Sequence, residues 1–99
     1  MAESKFQKKF LDKVRNLYPG CIIMKNDSGY IQGIPDWTIL YEKRWAMLEM
    51  KDYEGAPARP NQPYYVEKAN NMSYSSFVYP ENEDQVLDDL SKLFGKPKK

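Results

Sequence analysis

Two short apolar runs, Trp37-Thr38-Ile39-Leu40-Tyr41 and Trp45-Ala46-Met47-Leu48, lie either side of Glu42-Lys43. Each is too short for a helix of its own and rich in β-branched or aromatic residues, so they read as strands Asp36–Tyr41 and Arg44–Lys51 of one antiparallel hairpin. A hairpin centred on Glu42-Lys43 places Asp36 opposite Glu49 on one face of the sheet. The two-residue period of a strand carries Lys51 to that same face. The turn lacks the Asn-Gly or Asp-Gly that fixes a tight mirror-image loop, so a four-residue loop with the same centre is equally compatible. A slip of one residue would send the two carboxylates to opposite faces, which makes the register a sharp expectation. Trp37, Ile39, Ala46 and Leu48 fall on the other face, while Leu40, Trp45 and Met47 share the carboxylate face. Both faces are therefore partly apolar, and helices are expected to cover both.

The flanking sequence supplies those helices. Phe6, Phe10, Leu11, Val14 and Leu17 recur at helical spacing, which predicts a helix from Ser4 to about Tyr18, with Ser4 and Gln7 as a capping box and Pro19-Gly20 as its end. If that helix begins earlier, Glu3 and Gln7 share one face at i, i+4. Cys21–Met24 reads as a short strand buried on both faces. Lys25–Gly29 turns the chain, and Tyr30–Pro35 has no period, with Gly33 and Pro35 marking a bend. Asp52–Pro60 is a loop. Asn61 is expected to cap a second helix with Pro63 in its first turn, Tyr65, Val66 and Ala69 buried, and Asn70-Asn71 at its close. Tyr74–Tyr79 reads as a strand stopped by Pro80, and Glu81–Phe94 as a helix with Val86, Leu87, Leu90, Leu93 and Phe94 along one stripe. The order helix, three strands, helix, strand, helix gives an α/β fold: one domain over residues 1–99, a small mixed sheet flanked by helices, with a C-terminal helix added.

Composition narrows the chemistry. The chain has no histidine, which excludes Ser-His and Cys-His nucleophiles and histidine metal sites. The lone Cys21 has no internal disulfide partner and, beside Ile22-Ile23, reads as a small apolar residue. Catalysis is left to carboxylates, lysine, amides, tyrosine or a hard metal ion. Net charge is only +1, but its distribution is uneven: residues 1–35 hold six Lys or Arg against three acids, and residues 36–60 hold four against five. Positive charge leading into an acidic centre suits phosphate steered toward a held cation, as it also suits ordinary solvated surface. No apolar run approaches the roughly 18 residues of a membrane span. The start, Met1–Phe6, lacks a secretory pattern, so the cytoplasm is the expected location.

Two carboxylates on one rigid face repel one another unless a cation lies between them. Without His or Cys, oxygen ligands favour a hard ion, Mg²⁺ or Mn²⁺. Such an ion polarises a phosphoryl oxygen and activates water, and a neighbouring lysine offsets the charge that builds up, so the expected chemistry is phosphodiester hydrolysis. Pro35-Asp36 followed by Glu49-Met50-Lys51 resembles the PD-(D/E)XK nuclease superfamily. Glu3-Ser4-Lys5-Phe6-Gln7, Gly33-Ile34-Pro35-Asp36 and Pro60-Asn61-Gln62 extend the likeness to the stand-alone VRR-NUC (virus-type replication-repair nuclease) domains, known from phages and as the nuclease module of a DNA-repair enzyme. The resemblance spans roughly residues 3–94. It implies a restriction-endonuclease-like αβββαβ core. It also implies Asp36, Glu49 and the Met50 carbonyl as metal ligands, Lys51 as the catalytic lysine, Glu3 as the acid from the first helix, and Gln62 as the glutamine that supports the triplet. Gln7 matches a family glutamine one turn after that acid, in contact with substrate or water. Asp52-Tyr53-Glu54 departs from the pattern by adding acid where basic residues would favour DNA.

The DNA contacts expected are Gln7, Lys25, Asn26 and Tyr30, and Tyr30, Tyr53 and Tyr64 flank the hairpin with faces on which bases could stack. Two readings follow. One is a metal-dependent DNA endonuclease, homodimeric because a chain this small offers little surface to grip DNA, and directed at branched DNA such as the Holliday junction by likeness to the stand-alone phage members. The other is a nuclease-like fold that binds nucleic acid or protein without cleaving. Intact Asp36, Glu49 and Lys51 favour the first.

Overall fold

The Ser4 hydroxyl accepts a hydrogen bond from the Gln7 backbone N–H at 3.2 Å, and the first helix, α1, runs from there over Lys5–Leu17. Capping of this kind satisfies one of the four amide groups a helix leaves unpaired at its start. The computed structural model describes residues 4–97. After α1 come strand β1 (Ile22–Lys25), the hairpin β2 (Trp37–Tyr41) and β3 (Arg44–Met50), helix α2 (Gln62–Met72), strand β4 (Ser75–Val78), a 3₁₀ turn over Pro80–Asn82 and helix α3 (Glu83–Phe94). The result is an α/β fold, with a mixed four-stranded sheet in the order β1-β2-β3-β4 and three α-helices among the described residues. The first two pairings are antiparallel and β3 with β4 is parallel.

The hairpin has the register its alternation predicts. Trp37 pairs with Leu48 and Tyr41 with Arg44, so Glu42 and Lys43 form a two-residue turn. The alternative of a four-residue loop is not taken. Glu42 meets the requirement of a mirror-image turn by adopting φ 57° without the glycine or asparagine that usually serves there.

One face of the sheet is covered by α1 and α3. Phe10, Leu11 and Val14 from the first helix and Val86, Leu90 and Phe94 from the last meet Trp37, Ile39, Ala46, Leu48 and Met50 in a single buried cluster. Ile39 and Leu48 are fully buried, and each contributes roughly 1.5–3 kcal/mol by leaving water. Leu87 and Leu93 pack at its margin. The other face carries Glu49 and is covered by α2, whose Val66 and Ala69 are buried and whose Tyr65 is half-buried.

Four expectations need correction. Cys21–Met24 is not a strand buried on both faces: β1 is an edge strand paired only with β2, and Ile22 and Met24 are 56% and 43% exposed. Asn61 is not a side-chain cap. It adopts φ 74° and its side chain makes no cap hydrogen bond, and the Gln62 N–H goes to the Arg59 carbonyl at 3.2 Å instead. The second helix continues past Asn70-Asn71 to Met72. The last helix begins two residues later than Glu81, because Pro80 opens a tight 3₁₀ turn first. No described helix is long and apolar enough to cross a membrane.

Candidate active site

Asp36 lies at the mouth of the hairpin, and the loop before it is held by one amide side chain. Asn26 donates from Nδ2 to the Pro35 carbonyl at 2.8 Å and accepts from the Thr38 hydroxyl at 3.0 Å, while its backbone N–H donates to the Asp36 carbonyl at 2.7 Å. The Asp36 carboxylate accepts from the Met50 N–H at 3.3 Å, a contact that follows from its place across the hairpin from Glu49. Lys25 Nζ lies 3.9 Å from Asp36 Oδ1, and also over the Trp37 ring, 4.8 Å from its centroid.

Glu49 is 2% exposed. Its Oε2 accepts from Gln62 Nε2 at 2.9 Å. Its Oε1 is buried and meets no donor, although Asp36 lies close enough for the two carboxyls to share a proton. Burial pushes the Glu49 pKa up from 4.5 to about 8, the Asp36 charge and a hydrogen bond with Asp36 push the same way, and Lys51 partly offsets them. The physical cause is the ordinary one: a charge taken out of water and set beside a like charge is easier to hold as the neutral acid.

Lys51 and Gln62 complete the arrangement. Lys51 Nζ donates to Gln62 Oε1 at 2.9 Å and to the Pro57 carbonyl at 3.1 Å, and stands 3.8 Å from Glu49 Oε2. Gln62 Oε1 also accepts from the Arg59 N–H at 2.8 Å. The Gln62 amide is thus fixed in one sense, its oxygen toward the lysine and its nitrogen toward the acid. Gly33 lets the helix carrying Gln62 come this close. Its φ is +93°, and a Cβ built there would lie 2.6 Å from Asn61 Cβ and 2.8 Å from the Asn61 backbone carbon.

These groups line one cleft of about 930 Å³ that brings Asp36, Glu49, Met50, Lys51 and Gln62 together. Gln7, Lys25 and Asn26 border it as well. Tyr30 is 87% exposed and is not among the residues lining the cleft. Glu3 lies outside the described residues. The cleft also holds Arg59 and Gln32, neither of which stood out as a site residue in the sequence. The signal for Arg59 is that it alone carries positive charge in the loop between the triplet and Gln62. Asn26 makes one bond within the protein from each end of its amide, and each end keeps capacity for one more.

Among the described residues no cluster of three or more Asp, Glu, Cys or His side chains forms. A cation at Asp36 and Glu49 would take two carboxylates from the described residues, and with neutral oxygens these make a donor set that suits Mg²⁺ and Mn²⁺. The buried Glu49 Oε1 without a donor fits such an ion. No protein-family model matches the chain, and no curated protein or solved structure is significantly similar to it.

Proposed function

We propose that this protein is a divalent-metal-dependent endodeoxyribonuclease of the PD-(D/E)XK type, with a VRR-NUC-like domain and a restriction-endonuclease-like core, acting on branched or duplex DNA in the cytoplasm as a homodimer. The observation that carries the reading is the Asp36–Glu49 pair: two carboxylates held together in a cleft, one of them buried with an oxygen that meets no donor. The ammoniums of Lys51 and Lys25 stand 3.8 Å from Glu49 and 3.9 Å from Asp36, outside hydrogen-bond reach, and that of Lys51 is bonded instead to Gln62 and Pro57.

Asp36, Glu49 and the Met50 carbonyl would hold Mg²⁺ or Mn²⁺, which supplies Lewis-acid stabilisation of charge on the phosphoryl oxygens. The remaining work belongs to side chains. An ammonium has three N–H donors, and the protein uses two of those on Lys51, leaving one for a phosphoryl oxygen or the attacking water. Gln62 fixes the ammonium in place and orients Glu49 through its other end, so the lysine is positioned before substrate arrives. Arg59 adds a second positive charge at the rim for a non-bridging phosphate oxygen.

The test is a cleavage panel of plasmid, linear duplex, fork and four-way junction DNA with Mg²⁺ or Mn²⁺, run with wild type and Glu49→Ala side by side. The expected result is cleavage by the wild type only. A wild type that cuts none of the four, or a variant that cuts as well, overturns the reading. Light scattering of the purified chain reads the dimer directly, and a mass near 11.7 kDa would refute it.

A further inference from the structure

A second groove, of about 280 Å³, shares Lys51 with the catalytic cleft. The sheet register explains why it lies there. Glu49 pairs with Phe77 on β4, and the ladder continues through the Lys51 N–H to the Val78 carbonyl at 2.8 Å. Phe77 therefore flanks the acid on the same face, and Tyr79 lies two residues beyond it, so an aromatic wall runs directly beside the polar triplet. The opposite wall is the loop after the triplet, with Tyr53 and Ala56, and Pro63 closes one side. That loop is tied down. The Glu54 N–H donates to Glu81 at 3.1 Å, the Ala56 N–H to the Tyr53 carbonyl at 3.2 Å, and Lys51 holds Pro57 from inside the cleft.

We propose that this groove takes one unpaired nucleobase, that of the nucleotide next to the scissile phosphate, packed among Tyr53, Phe77 and Tyr79. The proposal rests on the nuclease reading of the neighbouring cleft. Continuity through Lys51 identifies the occupant: a chain whose phosphate lies at Lys51 presents its next base or sugar to whatever surface adjoins that lysine. The lining is aromatic and aliphatic, which suits the π-face of a base, and stacking on such residues tolerates any base. At about 280 Å³ the groove falls just below the small-ligand range, which starts at about 300 Å³, a size that suits a single base. A base reaches the groove only by leaving its helical stack, which is easiest where it is already unpaired. The groove thus selects forks, flaps and junction branch points over intact duplex.

The experiment uses a forked DNA whose cut position has been mapped with Mg²⁺, and walks a single abasic nucleotide through the positions on either side. The expected result is one sensitive position beside the cut, where loss of the base lowers kcat/KM by about 5- to 100-fold, the range of a single stacking contact. Tyr53→Ala, at a residue 55% exposed whose loss opens no core, should cause a similar drop on the intact fork and no further drop on the abasic one. Independently, 5-iododeoxyuridine walked along the unpaired arm should photocrosslink in EDTA to Tyr53, Phe77 or Tyr79. Sensitivity at no position, an equal Tyr53→Ala loss on intact and abasic forks, or crosslinks only to other residues would overturn the proposal. An abasic fork cut normally while Tyr53→Ala is impaired would likewise overturn it, in favour of contact with the sugar. Because the crosslink needs no cleavage, its presence in an enzyme that cuts nothing would sink the nuclease reading and keep the groove. Its absence in an active enzyme does the reverse.

Discussion

Replacing Glu49 by Gln should abolish cleavage and yet make the metal-free protein more stable at neutral pH. In the folded chain Glu49 keeps its proton up to about pH 8, because burial and the neighbouring Asp36 disfavour its charge. In the unfolded chain the same carboxyl ionises above its ordinary value of 4.5. Between those values the folded state binds the extra proton, so folding stability is present in full below the unfolded pKa and is lost as pH rises toward the folded one. The slope is at most about 1.4 kcal/mol per pH unit. From pH 5 to pH 7 the loss is then about 2–3 kcal/mol, or roughly 10–20 °C in Tm for a domain of this size.

Glutamine removes the titration while keeping the geometry. Its carbonyl can accept from Gln62 Nε2 as Glu49 Oε2 does, and its amide can donate to Asp36 as a protonated carboxyl would. Thermal melts followed by circular dichroism in EDTA at pH 5, 6, 7 and 8 give the difference in Tm between variant and wild type. Comparing the two chains cancels the titrating groups that do not interact with Glu49, which leaves only Asp36 and Lys51 beside it. The difference should be small at pH 5 and grow steadily in favour of Glu49→Gln. A difference that stays flat with pH, or a variant less stable than wild type at pH 7, would refute the claim that Glu49 is held neutral by its surroundings.

Three further outcomes follow from the same contacts. Mg²⁺ at ten times its Kd should stabilise the wild type at pH 7 by about 1.4 kcal/mol, and should leave the Tm of Glu49→Gln unmoved; equal shifts in both would place the ion elsewhere. Gln62→Ala unties Lys51 and Glu49 together and should lower kcat by about 10- to 100-fold, as loss of a supporting residue behind metal ligands does, so a kcat within twofold of wild type would remove Gln62 from the mechanism. Gly33→Ala should cost more stability in urea than Gly20→Ala, since both have a positive φ near 90° but only Gly33 has Asn61 within 3 Å of the added carbon; equal costs would leave backbone strain as the whole effect.

What could be read from the sequence is what depends on local periodicity. The alternation in Trp37–Tyr41 and Arg44–Met50 fixes which side chains share a face, and turning at Glu42-Lys43 fixes the partner of each. That was enough to bring Asp36, Glu49 and Lys51 together. The exposure of β1 was not legible, because a run such as Cys21-Ile22-Ile23-Met24 reads the same in a central strand and at an edge. The difference lies in how many strands and helices come to cover it, and α2 covers β3 and β4. Nor was the part played by Asn26 legible. Its amide bridges Pro35 and Thr38, nine and twelve residues away, and separations of that kind leave no local pattern. Asn61 misled for a related reason: asparagine suits a cap, but here the residue takes the left-handed backbone beside Gly33, and that approach leaves no local pattern.

The choice of amides around the acid pair has a consequence for Lys51. An unrestrained ammonium next to a buried carboxylate would close to the charge-assisted distance of about 2.7–2.9 Å, neutralise Glu49 and occupy the place a metal ion needs. Here Nζ stays 3.8 Å from Glu49 Oε2, too far for a hydrogen bond, because Gln62 Oε1 and the Pro57 carbonyl hold it from the other side. The same Gln62 satisfies Glu49 Oε2 with a neutral donor. Orientation is thereby supplied without charge, and the negative charge of the pair is left to attract a cation that can come and go. Substituting a second lysine for Gln62 would reverse this, since its ammonium would pair with Glu49 and repel Lys51. Gln62→Lys should therefore lose Mg²⁺ affinity and, in EDTA, lose the fall in stability between pH 5 and pH 7. Retention of both by that variant would show that a cation at residue 62 does not reach the acid pair.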